Sequence, residues 1–137
     1  MSYSAQIPIS EVREWLRLDD QSNDSILNIM LSNACAVFER RTNHFIYQKT
    51  KEYLKGKRIY DFPISDTSLL TDKSLYYIAN EDVTLTIGYA EGELPTEIKE
   101  CILTMIEAKF YANESEKITS YPPIVEETIN VFKRFFI

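Results

Sequence analysis

Few residues in this 137-residue chain could carry catalytic or metal chemistry. Nucleophilic catalysis by serine or cysteine needs a histidine base, and His44 is the only histidine. It follows a predicted helix end, a position typical of a capping or surface histidine. One histidine with Cys35 and Cys101 gives no zinc-binding spacing, and both cysteines fit a reduced core. The sequence therefore predicts no catalytic residue and no metal site.

Cofactor and acid–base sites have little support either. The three glycines are far apart and form no loop that would cradle phosphate groups, so we expect no nucleotide cofactor. Carboxylates are plentiful, and two of them can serve as general acid and base. An enzyme that uses clustered carboxylates is therefore one hypothesis, and it requires a concave pocket.

Composition indicates one globular domain over residues 1–137, with 45% hydrophobic and 26% charged residues. No apolar run is long enough to cross a bilayer, so we expect no membrane association. The first residues lack the basic start and apolar core of a signal peptide. We therefore expect the protein to fold in the cytoplasm.

Charge is unevenly distributed along the chain, whose net charge is −6. Residues 40–58 contain seven basic residues and one acidic residue, whereas the rest of the chain is strongly acidic, which argues against a general nucleic-acid binder. Two interpretations of the basic segment stay open: a solvated hairpin whose lysines discourage pairing of sheet edges, or contact with DNA phosphates or an acidic partner. The candidate contact residues are Lys49, Lys51, Lys55, Lys57 and Arg58.

Hydrophobic spacing predicts a mainly α (α+β) fold. It is a small bundle of three to four helices, over about residues 10–18, 23–42, 95–113 and 124–136. A β-hairpin or small antiparallel sheet, within residues 45–89, is inserted between the second and third helices. Lys55-Gly56-Lys57 is predicted as a hairpin turn between strands 45–54 and 58–62, and residues 83–89 alternate as a strand.

The third predicted helix has apolar residues on two sides. One side runs from Ile98 to Ala112, and the other contains Leu103, Ile106 and Phe110. Such a helix is either deeply buried or contacts two partners, and deep burial is hard to arrange in a small chain. We therefore predict that Leu103, Ile106 and Phe110 are partly exposed in a monomer and form a subunit interface.

Three stretches are informative through their order and spacing: Val12–Leu18 before an acidic break, Asp24–Thr42, and Gly88–Lys99 leading into a helix that ends near Glu114. Together they resemble the head–tail connector (adaptor) proteins of long-tailed bacteriophages. A weaker match joins Pro123–Val125 with Ile129 and Phe132 to the family's final helix.

The resemblance implies a non-enzymatic structural subunit of a phage or prophage. Such subunits form a ring that docks on the portal protein, extends the DNA channel and supports stopper or tail-completion proteins. The chain would then occupy the bacterial cytoplasm during assembly and the virion neck afterwards. DNA would pass without sequence-specific contact, which agrees with the negative net charge. The apolar chain end would dock on a partner through Phe132, Phe135 and Phe136.

A hypothesis from another class is a small nucleic-acid-binding or regulatory protein that uses the basic residues 45–60. Tyrosines alternate with the lysines there, as in surfaces that stack on bases, although tyrosine is also common in strands. This hypothesis predicts an affinity for DNA that falls steeply with salt and is lost when the lysines are neutralised.

Overall fold

The computed structural model describes residues 2–112 and 121–133, which form helices and short strands in agreement with the predicted α+β class. The helices are α1 (Tyr3–Gln6), α2 (Ile9–Leu16), α3 (Asp24–Thr42), α4 (Thr96–Phe110) and α5 (Pro123–Phe132). The strands are β1 (Lys49–Tyr53), β2 (Arg58–Ile59), β3 (Leu70–Asp72), β4 (Tyr77–Ala79) and β5 (Val83–Ile87). None of the described helices has the length and apolar character needed to cross a membrane.

Helix α3 forms the centre of the helical core. Leu27, Leu31 and Phe38 recur at helical spacing and are buried against the other helices. The helix ends where predicted, because Asn43 adopts a left-handed conformation and its N–H donates to Glu39 O over 2.8 Å. Ile26 is 51% exposed, because it lies about 100° around the helix from the buried Leu27, on the same outer side as Ile29.

Helix α4 lies against α2, α3 and α5, so both of its apolar sides are covered within one chain. Leu103 and Ile106 are buried in the helical core, and Ile106 is only 1% exposed. Phe110 is half-buried and packs against the same core. The prediction that Leu103 and Ile106 are partly exposed is therefore wrong. Three neighbouring helices, α2, α3 and α5, cover α4, so the argument that a small chain cannot bury a helix deeply does not hold.

The β segment forms two small antiparallel sheets, so of the two predicted arrangements the small antiparallel sheet is confirmed and the simple hairpin is not. A turn does occur at Gly56, whose φ is +85°, and Lys57 N–H donates to Leu54 O over 3.0 Å. However, β1 pairs with β5, whereas β2 joins the second sheet in the order β2-β4-β3. The prediction that the strands flanking this turn pair with each other is wrong, because both find partners later in the chain.

Helix α1, which the sequence did not predict, connects the helices to both ends of the β segment. Gln6 is buried, and its Nε2 donates to the carbonyl oxygens of Ile46, Tyr89 and Ala90, each at 2.9 Å. Its Oε1 accepts a hydrogen bond from Gly92 N at 3.1 Å. One side chain therefore satisfies backbone groups where the β segment begins and where it ends.

Candidate functional site

The basic residues of β1 are largely engaged with neighbouring side chains. Lys49 Nζ lies 4.4 Å from the centroid of the Phe45 ring, within the range of a cation–π contact. Lys51 Nζ lies 3.1 Å from Asp61 Oδ2, and the buried Asp61 also accepts a hydrogen bond from the Tyr53 hydroxyl. Burial and this hydrogen bond raise the pKa of Tyr53, so its hydroxyl remains protonated. These cations therefore have partners within the chain.

The turn after β1 presents an apolar and basic surface, which we call the basic turn (Leu54–Arg58). Leu54 is 73% exposed, and Lys55 and Lys57 are also exposed. Neither lysine forms an ion pair with another described residue. The Arg58 guanidinium, by contrast, lies 5.0 Å from the centroid of the Tyr76 ring. The predicted contact residues are therefore divided: Lys55 and Lys57 are available to a partner, and the other three have local partners.

A second surface, which sequence reasoning missed, lies between α2, α4 and α5. This helical groove has a volume of about 190 Å³. It is lined by Trp15, Glu97, Glu100, Cys101, Ile124 and Val125, among others. Cys101 and Val125 are buried and form its apolar floor, and Glu97 and Glu100 are exposed. The groove therefore combines an apolar floor with an acidic rim.

Helix α5 has the exposed second apolar side that was predicted for α4. Val125 and Ile129 are buried, whereas Ile124 and Val131 are 59% and 77% exposed. Ile124, Thr128 and Val131 are spaced four and three residues apart, so they share the outer side of the helix. This spacing was a usable signal in the sequence, although no exposed apolar side was predicted for this helix.

Phe132, one of the predicted docking residues, is half-buried within the chain. Its ring centroid lies 6.4 Å from that of Phe38 and 5.2 Å from that of His44. Phe135 and Phe136 lie outside the described residues. His44 itself is buried, and its Nδ1 is 2.7 Å from the Tyr89 hydroxyl, so the expectation of a surface or capping histidine is wrong.

Comparison with models of known protein families finds no match, and comparison with curated proteins finds none. Two solved structures share the fold over nearly the full length of the chain. A chain in the neck of an empty gene transfer agent particle, computed with C6 symmetry, matches with a TM-score of 0.73 and 14% identity, covering 100% of this chain and 94% of that one. The fold is that of this neck chain.

A chain in the virion of a native gene transfer agent particle matches with a TM-score of 0.72 and 13% identity, covering 98% of this chain and 92% of that one. Both matches include the β segment as well as the helices, since almost no part of the chain is left uncovered. The resemblance to a head–tail connector or neck protein, predicted from the order of three sequence stretches, is confirmed at the level of the fold.

Proposed function

We propose that this protein is a non-enzymatic structural subunit of the neck of a phage-like particle. The observation that carries the proposal is the full-length likeness to a chain of the gene transfer agent neck. Because 94% of that chain is covered as well, the two have nearly the same extent. The C6 symmetry of that neck supports a closed ring of identical subunits.

In finer detail, the ring docks on a portal protein and extends the DNA channel. Its opposite face receives a stopper or tail-completion protein. The single domain folds in the bacterial cytoplasm and then becomes part of the virion neck. The net charge of −6 supports a channel role, since a wall that binds phosphates tightly would hinder the passage of DNA.

The measurement that tests this proposal is the mass of the full-length chain, alone and mixed with a purified portal ring. Light scattering gives the mass, and negative-stain electron microscopy shows whether a ring forms. We expect ring-shaped particles at least in the presence of the portal. A chain that remains monomeric in both conditions and does not associate with the portal would contradict the proposal.

A further inference from the structure

We infer that the basic turn of one copy docks in the helical groove of a second copy, so that subunits associate head to tail. The inference rests on the proposed ring function and specifies its interface. The two surfaces share no residue, and they differ in shape and charge. A head-to-tail contact of two different surfaces leaves one of each open at the ends of a chain of subunits, until the ring closes.

The basic turn is held in a fixed shape before any partner arrives. Gly56 N–H donates to Ala79 O over 2.8 Å, and Lys55 N–H donates to Asp82 Oδ1 over 2.8 Å. Lys57 O accepts a hydrogen bond from Ala79 N at 3.1 Å. Because the backbone is already ordered, docking of the turn costs little conformational entropy. The basic turn thus presents an exposed leucine, followed by two lysines, in a fixed conformation.

The helical groove matches the apolar part of the basic turn. Its floor consists of the buried Cys101 and Val125, and it is flanked by Trp15 and Ile124, which are 37% and 59% exposed. Insertion of the Leu54 side chain would remove its own apolar surface and the exposed parts of Trp15 and Ile124 from water at once, which favours association. In a free monomer these exposed parts remain hydrated.

The charges on the two surfaces are opposite. Glu97 and Glu100 are exposed on the rim of the groove, and neither forms an ion pair with a described residue. The nearest lysine in sequence, Lys99, is paired with Glu11 at 3.2 Å and does not neutralise them. On the basic turn, Lys55 and Lys57 follow Leu54 on either side of Gly56, and they carry two positive charges that no described ion pair neutralises. This complementarity favours a second copy of the chain as the occupant of the groove.

Charge reversal tests the inference with two double variants of the full-length chain. One is K55E with K57E, and the other is E97K with E100K. Each places like charges on the two surfaces. We therefore expect the protein concentration needed for ring assembly to rise at least tenfold, measured by light scattering. The variant that carries all four changes restores opposite charges and should recover assembly, as should an equimolar mixture of the two double variants.

A matched control is the double variant K73E with E93K, which reverses exposed charges outside both surfaces. Its assembly should equal that of the wild type, and circular dichroism should show that every variant is folded. The inference is overturned if the double variants assemble normally, or if the fourfold variant does not recover. It is also overturned if the double variants form rings on their own but no longer bind the portal ring, because the turn would then be a portal contact.

These outcomes separate the interface from the function. If the wild type forms rings and the charge-reversed variants form them equally well, the docking is contradicted and the neck function is not. A wild-type chain that forms no ring, with or without the portal, would contradict both.

Discussion

At the residue scale, Gln6 links segments that are distant in sequence. Its amide bonds backbone groups on both sides of the β segment, and the side chain is buried. Replacing it with alanine leaves the buried carbonyl groups of Ile46 and Tyr89 without this donor, at a cost of about 1–3 kcal/mol. We expect Gln6→Ala to lower the free energy of unfolding by that amount in urea denaturation.

The control for this variant is Gln21→Ala, because Gln21 is exposed in the connection before α3. It should change the unfolding free energy by less than about 0.5 kcal/mol. Equal effects of the two substitutions would show that the hydrogen bonds of Gln6 do not stabilise the fold.

Individual residues were the hardest feature to predict from sequence. Gln6 and His44 are both buried, and each forms a hydrogen bond with Tyr89, which lies more than 40 positions away. Nothing in the local sequence of either residue indicates such a partner. The end of α3 depends on the local conformation of Asn43, and the predicted boundary at residue 42 is correct.

At the element scale, the surroundings of α4 reverse the outcome expected for one substitution. An exposed Ile106 would have allowed Ile106→Asp to block assembly while the monomer stayed folded. Because Ile106 is buried, the variant places an unpaired carboxylate in the core. We expect destabilisation of more than about 3 kcal/mol and loss of the cooperative thermal transition.

Val131→Asp is the matched control, since Val131 is an apolar helical residue that is largely exposed. Its thermal transition should stay within a few degrees of the wild type. An Ile106→Asp protein that melts like the wild type would restore the interface interpretation of α4.

The attachment of α5 to α3 predicts a dependence of stability on pH. Arg41 Nη1 and Nη2 donate to Glu126 Oε1 and Oε2 at 3.1 and 2.6 Å, and these bonds lower the pKa of Glu126 from its ordinary value of 4.5. Because the folded-state pKa is the lower one, the stabilisation is present above about pH 4.5 and is lost as the pH falls through the lowered pKa. Both side chains are more than a third exposed, so it amounts to less than about 1 kcal/mol.

Unfolding measurements from pH 7 to pH 3 on Glu126→Gln check this prediction. The variant should be less stable than the wild type at pH 7, and the difference should disappear as the pH approaches 3. Glu127→Gln, which removes an exposed carboxylate without an ion pair among the described residues, should show no such trend. A constant difference at every pH would exclude the ion pair as its cause.

Elements with their own periodic signal were predicted well, as α3 and β5 show. Helix α1 has only four residues, which is too short for a hydrophobic period to be visible. The turn at Gly56 was also found, but a turn does not determine which strand is the partner. The pairing of β1 with β5 depends on side chains that meet only after the chain folds.

At the scale of the whole molecule, the distribution of charge bears on the nucleic-acid hypothesis. Three of the five predicted DNA-contacting side chains have local partners, and the rest of the chain is acidic. We therefore expect no measurable affinity for duplex DNA near physiological salt, by fluorescence anisotropy. Steeply salt-dependent binding that disappears when Lys49, Lys51, Lys55 and Lys57 are neutralised would favour the nucleic-acid-binding alternative.

The two ends of the β segment lie next to each other, because Tyr89 N–H donates to Phe45 O over 3.1 Å. The stretch between them therefore leaves and rejoins the helical body at neighbouring positions, and Phe62 within it packs against the helical core as well. Such a stretch is an exchangeable cassette: its length and surface can diverge while the helices keep their positions. Variation among proteins of this fold should therefore accumulate between these two residues, and chimaeras joined there should fold.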